Sequence, residues 1–323
     1  MIAVRRLAYL ALFLAYAQIV FGAVVRITDS GMGCGDHWPK CNGLWFPPLD
    51  NPELIIEITH RWIAAGLLIA TLALVAVAYL HRHQPRIGGR GGVLRAAALS
   101  AGLWLAPAIL GAVTVWLELP PLVVVVHLAL AMALLAVLAI TVMRAGGFGA
   151  IAVEREGAAP RAARAAFAAA VMAFVVVILG GLTANVPGAA PACQGFPLCN
   201  GGVTTEGSAQ TLHWVHRVLA FLFAFHAFGM VMGARRRGPG IMRRAPMVLL
   251  GVILVQIVVA AFLVLTHLPP ALQSLHQAVG TLVWLSAVVG AELGRRGRQG
   301  DRGETLRTST SSTWTPSTTS TTS

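Results

Sequence analysis

Charged residues are scarce in this sequence. Only 11% of its 323 residues are Asp, Glu, Lys or Arg, whereas 57% are hydrophobic and the mean hydropathy is +0.74. This composition excludes an ordinary soluble domain and is typical of a protein that crosses a membrane several times. A spanning helix needs about 20 mostly apolar residues. Eight stretches meet this requirement, at 8–27, 54–80, 97–116, 121–143, 165–184, 211–233, 246–266 and 270–291.

Basic residues outnumber acidic ones by 24 to 12, but no soluble segment gathers them. They fall in alternate loops, with four exceptions at Arg26, Lys40, Arg61 and Arg217. Because cytoplasmic loops retain basic residues during insertion, this alternation predicts a multi-pass protein of the cell membrane with both termini in the cytoplasm. The scatter over short loops argues against nucleic-acid binding. The lipid bilayer is therefore the expected partner.

The second half of the chain repeats the first. VVRITDSGMGCGDHWPKCNG follows the first span, and GGLTANVPGAAPACQGFPLCNG follows the fifth. His-Arg recurs at 60–61 and 216–217, and Leu-Pro-Pro opens the fourth and eighth spans at 119 and 268. Since each unit has an even number of spans, the copies are parallel and related by a pseudo-twofold axis along the membrane normal. The predicted fold class is all-α, with two tandem four-helix bundles.

The repeat sets the expected domain boundaries. The N-terminal bundle covers 1–145, a cytoplasmic linker covers 146–164, and the C-terminal bundle covers 165–294. The remainder, 295–323, ends in TSTSSTWTPSTTSTTS and has too little apolar surface to offset the entropy of ordering it. We expect this cytoplasmic tail to be disordered.

Histidines occupy matching places in the two units. His60, His127, His216 and His276 each lie roughly 8 to 9 Å inside the outer end of a helix, at the 1.5 Å rise per residue. In each unit the second and fourth helices supply one imidazole, as in ligand sites of four-helix bundles. Haem can take one histidine on each face, whereas zinc prefers closer spacings and cysteine. The pattern predicts two bis-histidine haem sites, while His226, which has no repeat partner, is expected only to bond a neighbouring helix.

The two units differ three residues before the His-Arg pair, where the first has Glu57 and the second has His213. Positions i and i+3 share a helix face, so Glu57 is predicted to face the same cavity as His60 and to move protons there. The alternative is an acid that only stabilises the first helical turn. Arg61 and Arg217 are predicted to pair with haem propionates, and extension of their side chains toward water is an equal alternative.

The four cysteines all lie in outer loops, and none belongs to a C-x-x-C motif. Outside the cytoplasm thiols tend to oxidise. Cys34 with Cys41, and Cys193 with Cys199, are therefore expected to form short disulfide loops that staple the loops in place. For the first pair a redox role stays open, since a short exposed disulfide can be labile.

The cysteine loop of the first half, the following EITHR, the two later histidines and the duplicated unit together resemble the haem A synthase family, over about residues 7–292. The resemblance implies oxidation of the methyl group on pyrrole ring D of haem O to a formyl group, through successive hydroxylations, to supply terminal oxidases. It further implies that His60 and His127 hold the substrate haem O, that Glu57 is catalytic, and that His216 and His276 hold haem b as iron ligands.

Two other functions remain open from the residues. A di-haem electron-transfer cytochrome would use the same four histidines without Glu57, and a membrane thiol-disulfide oxidoreductase would depend on the cysteines. For the synthase, haem O synthase and terminal oxidase assembly factors are the candidate protein partners. Self-association into a homo-oligomer is a further open alternative.

Overall fold

Eight long helices make up most of the part of the chain that the structure describes. A computed structural model describes residues 1–235 and 240–311, with side chains described as far as Gln299. The helices are α1 Ile2–Ile27, α2 Pro52–Leu80, α3 Pro85–Gly88, α4 Val93–Trp116, α5 Pro121–Arg144, α6 Ala150–Glu156, α7 Pro160–Asn185, α8 Gly207–Arg235, α9 Ile241–Leu265 and α10 Pro270–Ser311. All except α3 and α6 are long and apolar enough to cross a membrane, α4 together with α3. The predicted all-α, multi-span class is confirmed.

Prolines set the starts of several spans. Pro52, Pro121, Pro160 and Pro270 each occupy the first position of a long helix. Proline suits this position because its φ is already helical and the missing N–H has no partner within the helix. At α2 the side chain of Asn51 also accepts a hydrogen bond from the Glu53 N–H at 2.9 Å. The helix bearing His60 therefore has a fixed starting point.

The two Leu-Pro-Pro turns fold alike. Leu119 and Leu268 both adopt left-handed backbone conformations, with φ of 60° and 62°. Their N–H groups donate to the carbonyls of Thr114 and Leu263, each at 2.8 Å. Equal geometry at these two turns places His127 and His276 at the same height in their helices, since each lies six residues after the proline that starts the helix.

The helix contacts form two closed groups. In the first half α1 contacts α2 and α5, and α4 contacts the same two helices. In the second half α7 contacts α8 and α10, and α9 contacts the same two helices. Helices α1 and α5 contact α10, and α5 also contacts α7, across the junction of the halves. This pattern is compatible with two four-helix bundles side by side.

Specific polar bonds join the two halves. The indole N–H of Trp284 in α10 donates to the carbonyl of Met132 in α5 at 2.9 Å. The Tyr16 hydroxyl of α1 donates to the carbonyl of Ala278 in α10 at 3.2 Å. Buried donors without partners are costly, so these bonds favour one alignment of the bundles.

The tail expected from Arg295 onward starts within a helix, since α10 continues to Ser311. Glu292, in the later part of α10, accepts hydrogen bonds from Arg295 and Arg296. Arg296 also donates a hydrogen bond to Glu154 of α6 at 2.8 Å. These ion pairs hold the start of the basic segment in helical form. The linker, expected at 146–164, contains α6 and the first turn of α7. The rest of the predicted tail, 312–323, lies outside the described residues.

This ion-pair cluster leads to a stability prediction. We expect Glu292→Gln to lower the free energy of unfolding by about 3 kcal/mol, because it leaves the Arg296 charge poorly compensated in a buried place; the Glu292 and Arg296 side chains are only 6% and 12% exposed. Glu154→Gln is the matched control, since Glu154 is 39% exposed and should cost less than about 1 kcal/mol. Thermal unfolding of the purified protein measures both, and equal losses would contradict the assignment.

Candidate functional site

His60 lies on α2 against α1. A Cβ atom on Gly22 would approach Cε1 of the imidazole to 3.0 Å, and the ring of Phe21 stacks on it with centroids 6.5 Å apart. The amide nitrogen of Gln18 lies 3.1 Å from Nε2. The Nδ1 atom is buried and has no hydrogen-bond partner in the described part of the chain. The ring therefore points into the protein and not toward lipid.

His127 on α5 completes a pair with His60. Its ring packs against α4, where a Cβ atom on Gly111 would lie 3.4 Å from Cε1. Its Nδ1 atom is likewise buried and unpartnered among the described residues. Helices α2 and α5, which carry His60 and His127, share both of their neighbours, α1 and α4. The structure thus brings the two predicted residues of the first half into one region.

The second half repeats this arrangement. A Cβ atom on Gly180 of α7 would lie 3.0 Å from Cε1 of His216, and Nδ1 of His216 is also buried without a partner in the described segments. His276 lies on α10, which shares both of its neighbours, α7 and α9, with the His216 helix α8. The Gln256 amide donates to the carbonyl of His276 at 3.0 Å and lies 3.1 Å from its Nδ1 atom.

Each half has one glutamine beside one histidine, but the two halves place it differently. Gln18 contacts His60 in the first half. If the halves are aligned on Gly22 and Gly180, which lie against His60 and His216, the residue equivalent to Gln18 in the second half is Val176. Gln256 contacts His276 in the second half. If the halves are aligned on the two Leu-Pro-Pro turns, the residue equivalent to Gln256 in the first half is Pro107. The amide oxygens of Gln18 and Gln256 are both buried without partners among the described residues.

Glu57 is buried beneath the first cysteine loop. One carboxylate oxygen accepts a hydrogen bond from the Cys34 N–H at 2.7 Å, and the other binds the Arg61 guanidinium. Glu57 is only 4% exposed. It therefore lies too deep to act only as a solvated acid of the first helical turn. Its equivalent, His213, contacts the carbonyl of Ala189 through Nδ1 at 3.0 Å.

The arginines of the two His-Arg pairs hold the cysteine loops. Arg61 donates to the carbonyls of His37 and Lys40 at 2.6 and 2.7 Å. Arg217 donates to the carbonyls of Gly195 and Cys193 at 2.8 and 2.7 Å. Extension toward water is wrong for both, since each guanidinium turns back under its loop. Direct bonds to propionates stay a prediction.

Both expected cysteine pairs are disulfides. Cys34 binds Cys41 and Cys193 binds Cys199, and all four residues are at most 2% exposed. The redox alternative for the first pair assumed an exposed bridge, and the burial of both cysteines removes that premise. The Cys34–Cys41 disulfide closes a loop near the N-terminal end of α2, next to Glu57. The Cys193–Cys199 disulfide closes a loop near the N-terminal end of α8, next to His213.

The donor set fits haem better than a bare metal ion. Among the described residues, no group of three or more His, Cys, Asp or Glu side chains could hold a metal ion. A haem brings four nitrogen ligands of its own and needs only two from the protein. Each half offers two imidazoles, and three of these four rings have a buried nitrogen without a partner in the described residues.

Sequence reasoning missed some residues of the site. Gln18 and Gln256 were detectable as rare amides within otherwise apolar spans, and such polar residues are usually functional or packed against other helices. Gly22, Gly111 and Gly180 gave no signal, because a glycine against a ring is indistinguishable in sequence from any other helix-packing glycine. His226, as expected, contacts the carbonyl of Ala165 in the neighbouring helix at 3.0 Å.

Known proteins match most of the chain. The family model described as cytochrome oxidase assembly protein matches residues 5–288. A protein named Heme A synthase from Symbiobacterium thermophilum is 30% identical over 275 residues, which cover 82% of this chain and 87% of that protein. One of the same name from an Exiguobacterium species is 28% identical over 268 residues, covering 81% and 84%. A Thermus thermophilus protein named Protoheme IX farnesyltransferase is 35% identical over 150 residues, covering 43% of this chain but 23% of that protein.

Proposed function

The chain belongs to the cytochrome oxidase assembly protein family, and from this premise we propose that it is an enzyme that converts haem O into haem A within the membrane. The relatives named Heme A synthase align with more than four fifths of the chain. The observation that carries the proposal is the pair of imidazoles turned inward in each half, at repeat-equivalent positions. A synthase needs a place for its substrate haem and a second centre to carry electrons away.

The proposed reaction oxidises the methyl group on ring D of haem O. Each hydroxylation breaks a C–H bond and forms a C–O bond; with water as the oxygen source the carbon loses two electrons and two protons are released, and the electrons would leave through the second haem site to an external acceptor. A second hydroxylation at the same carbon gives a geminal diol, and loss of water leaves the formyl group of haem A. The protein must therefore bind an apolar porphyrin, remove protons and accept electrons.

We assign the first of these tasks to the first half. His60 and His127 would hold the iron of haem O, and their positions beneath the loop closed by Cys34 and Cys41 would keep bulk water from the ring. Glu57 would accept or deliver a proton, since its carboxylate is buried one helical turn from His60. Arg61 supports this site indirectly, because it bonds both the Glu57 carboxylate and the loop carbonyls.

We assign the second half to electron transfer. His216 and His276 would hold a haem b, which supplies one-electron chemistry when bound. His213 replaces Glu57 here, so this half has an imidazole where the first half has its carboxylate. The Tyr16–Ala278 hydrogen bond joins the halves two residues from Gln18 and two from His276, which supports a position of both proposed sites near the junction of the halves.

The proposal includes a location and partners. The alternation of arginines supports a location in the cell membrane with both termini in the cytoplasm, and the histidines would then lie beneath the outer face. Haem O would arrive from a haem farnesyltransferase, and a Thermus protein with that name contains a stretch similar to this chain. Terminal oxidase assembly factors would receive haem A.

A direct experiment tests the function. The chain is expressed in cells that make haem O but lack their own haem A synthase, and the extracted pigments are separated by chromatography. We expect haem A to appear only in cells carrying the chain. Haem O without haem A, at normal amounts of membrane-inserted protein, would exclude the synthase. A pyridine haemochrome spectrum of the purified protein shows in the same preparation whether haem b is present.

Gly180→Val is predicted to empty the second site. The added Cβ would lie 3.0 Å from Cε1 of His216, so the branched side chain must displace the imidazole. We expect the ratio of haem b to protein to fall more than about tenfold, as for loss of ligand orientation at metal sites. Gly229→Val on α8 is the control, because no atom lies within 4 Å of its added Cβ and haem b should be retained.

A further inference from the structure

A cavity of about 160 Å³ lies at the end of the protein opposite the disulfide loops. It is bounded by the segment 85–92 between α2 and α4, by the end of α5, and by α6 and α10. The nearby bond from the Phe148 N–H to the hydroxyl of Tyr9 places the cavity at the end where α1 begins. We call it the inner cavity. No part of the proposed haem chemistry uses it.

The inner cavity is strongly basic. Its lining includes Arg86, Arg90, Arg144 and Arg296, but only one carboxylate, that of Glu154. Arg296 is already paired with Glu154 and Glu292. In the described part of the chain Arg86 and Arg90 have no acidic partner. The cavity therefore carries positive charge that the described protein does not neutralise.

Arg144 adds a specific unmet donor. Its Nη1 atom donates to the carbonyl of Gly92 at 3.2 Å, which fixes the guanidinium at the cavity wall. Its Nε atom is buried and has no hydrogen-bond partner among the described residues. A buried donor of a charged group without an acceptor is costly. An anion in the inner cavity would lie beside Arg144, which lines it, and would offset the charge of the guanidinium.

The backbone of the same wall favours an anion as well. Helix α4 begins after Gly92 with no side-chain cap and no acidic residue in its first turn. Its first N–H groups therefore have no partner within the helix, and the positive end of its dipole lies at the cavity. Gly89, Gly91 and Gly92 also line the cavity, so no side chain of these residues narrows its entrance.

The position of the inner cavity selects the class of anion. Arg144 is the last residue of α5, and α4 starts at Val93, so the cavity lies at the level where spanning helices end. Phospholipid headgroups occupy this level of a bilayer, and basic pockets at the cytoplasmic side bind anionic ones. Guanidinium groups match the oxygen geometry of phosphate. We propose that the inner cavity binds the phosphate of an anionic phospholipid headgroup.

The test uses the full chain purified in detergent. Phosphatidylglycerol, phosphatidylcholine and inorganic phosphate are added separately, with the thermal unfolding midpoint and lipid adducts in native mass spectrometry as readouts. We expect phosphatidylglycerol to bind and raise the midpoint, and phosphatidylcholine to do neither. An equal rise with inorganic phosphate alone would overturn the lipid assignment, since the site would then take the free ion.

Variants locate the binding. Arg86→Gln combined with Arg90→Gln should weaken phosphatidylglycerol binding at least about tenfold, at the strength typical of basic residues near anionic lipid. Both side chains are exposed, so the double variant should fold, whereas Arg144→Gln also loses the bond to Gly92. The control is Arg5→Gln combined with Arg95→Gln, which removes equal charge outside the cavity lining. Equal weakening in the two double variants would reduce the effect to general attraction and overturn the proposal.

Discussion

His60→Ala is expected to abolish conversion of haem O to haem A while the purified protein keeps its haem b. The reason is that the two proposed haem sites lie in different halves. His60 and His127 belong to one helix group, and His216 and His276 belong to the other. Loss of an iron ligand should exceed the 10- to 100-fold effects typical of residues that only orient ligands, so we expect conversion to fall by more than about 100-fold.

The reciprocal variant makes this result interpretable. His216→Ala should remove haem b from the purified protein, as measured by the haemochrome spectrum, and should also stop conversion because electrons have no exit. His226→Ala is the control, since this histidine contacts a backbone carbonyl of a neighbouring helix and belongs to neither pair. If His60→Ala and His216→Ala lose the same haem in equal amounts, the two halves do not hold separate sites.

The spans could be predicted because each is a long apolar run, and length and hydropathy alone decide whether a helix can cross a bilayer. The repeat then placed the four histidines at one depth, and the structure turns His60, His127 and His216 inward, each with a buried Nδ1 atom. The limits of the helices were less predictable. Glu292 pairs with Arg295 and Arg296 three and four residues later, a local pattern that is visible in the sequence, whereas the pair between Glu154 and Arg296 joins distant segments and leaves no such pattern.

The arginines show a second limit. Sequence placed Arg61 and Arg217 one residue after a histidine and near the membrane surface, which restricts their helix face but not the direction of a long side chain. Arg61 binds Glu57 four residues earlier, but the other partners of the two arginines are loop carbonyls more than 15 residues away in the chain. Every loop contains backbone carbonyls, so the residue types of a loop do not indicate which carbonyl will accept a hydrogen bond from a distant arginine. The contacts between each cysteine loop and its arginine are therefore visible only in the structure.

Glu57→Gln is the substitution that separates the synthase from a di-haem electron-transfer cytochrome. The amide keeps the shape of the carboxylate but has a single acceptor oxygen, so it can keep the hydrogen bond from the Cys34 N–H or the one from Arg61 and loses the other. It cannot take up a proton. If the carboxylate handles protons in the reaction, conversion of haem O should fall by about 10²- to 10⁴-fold, whereas a cytochrome would keep its haems and its electron transfer unchanged.

The contacts of Glu57 also allow a purely supporting role, in which it holds the cysteine loop in place. Two further measurements distinguish the roles. The unfolding midpoint and the haem content of Glu57→Gln report on the loop, and His213→Gln perturbs the equivalent position of the second half, where the side chain contacts the Ala189 carbonyl. Proton transfer by Glu57 requires lost conversion with both haem content and midpoint retained, and little loss of conversion in His213→Gln. A parallel decline of the unfolding midpoint and of conversion in both variants would assign Glu57 to loop support. Loss of loop support can occur in either half, whereas proton transfer is proposed only at the first site.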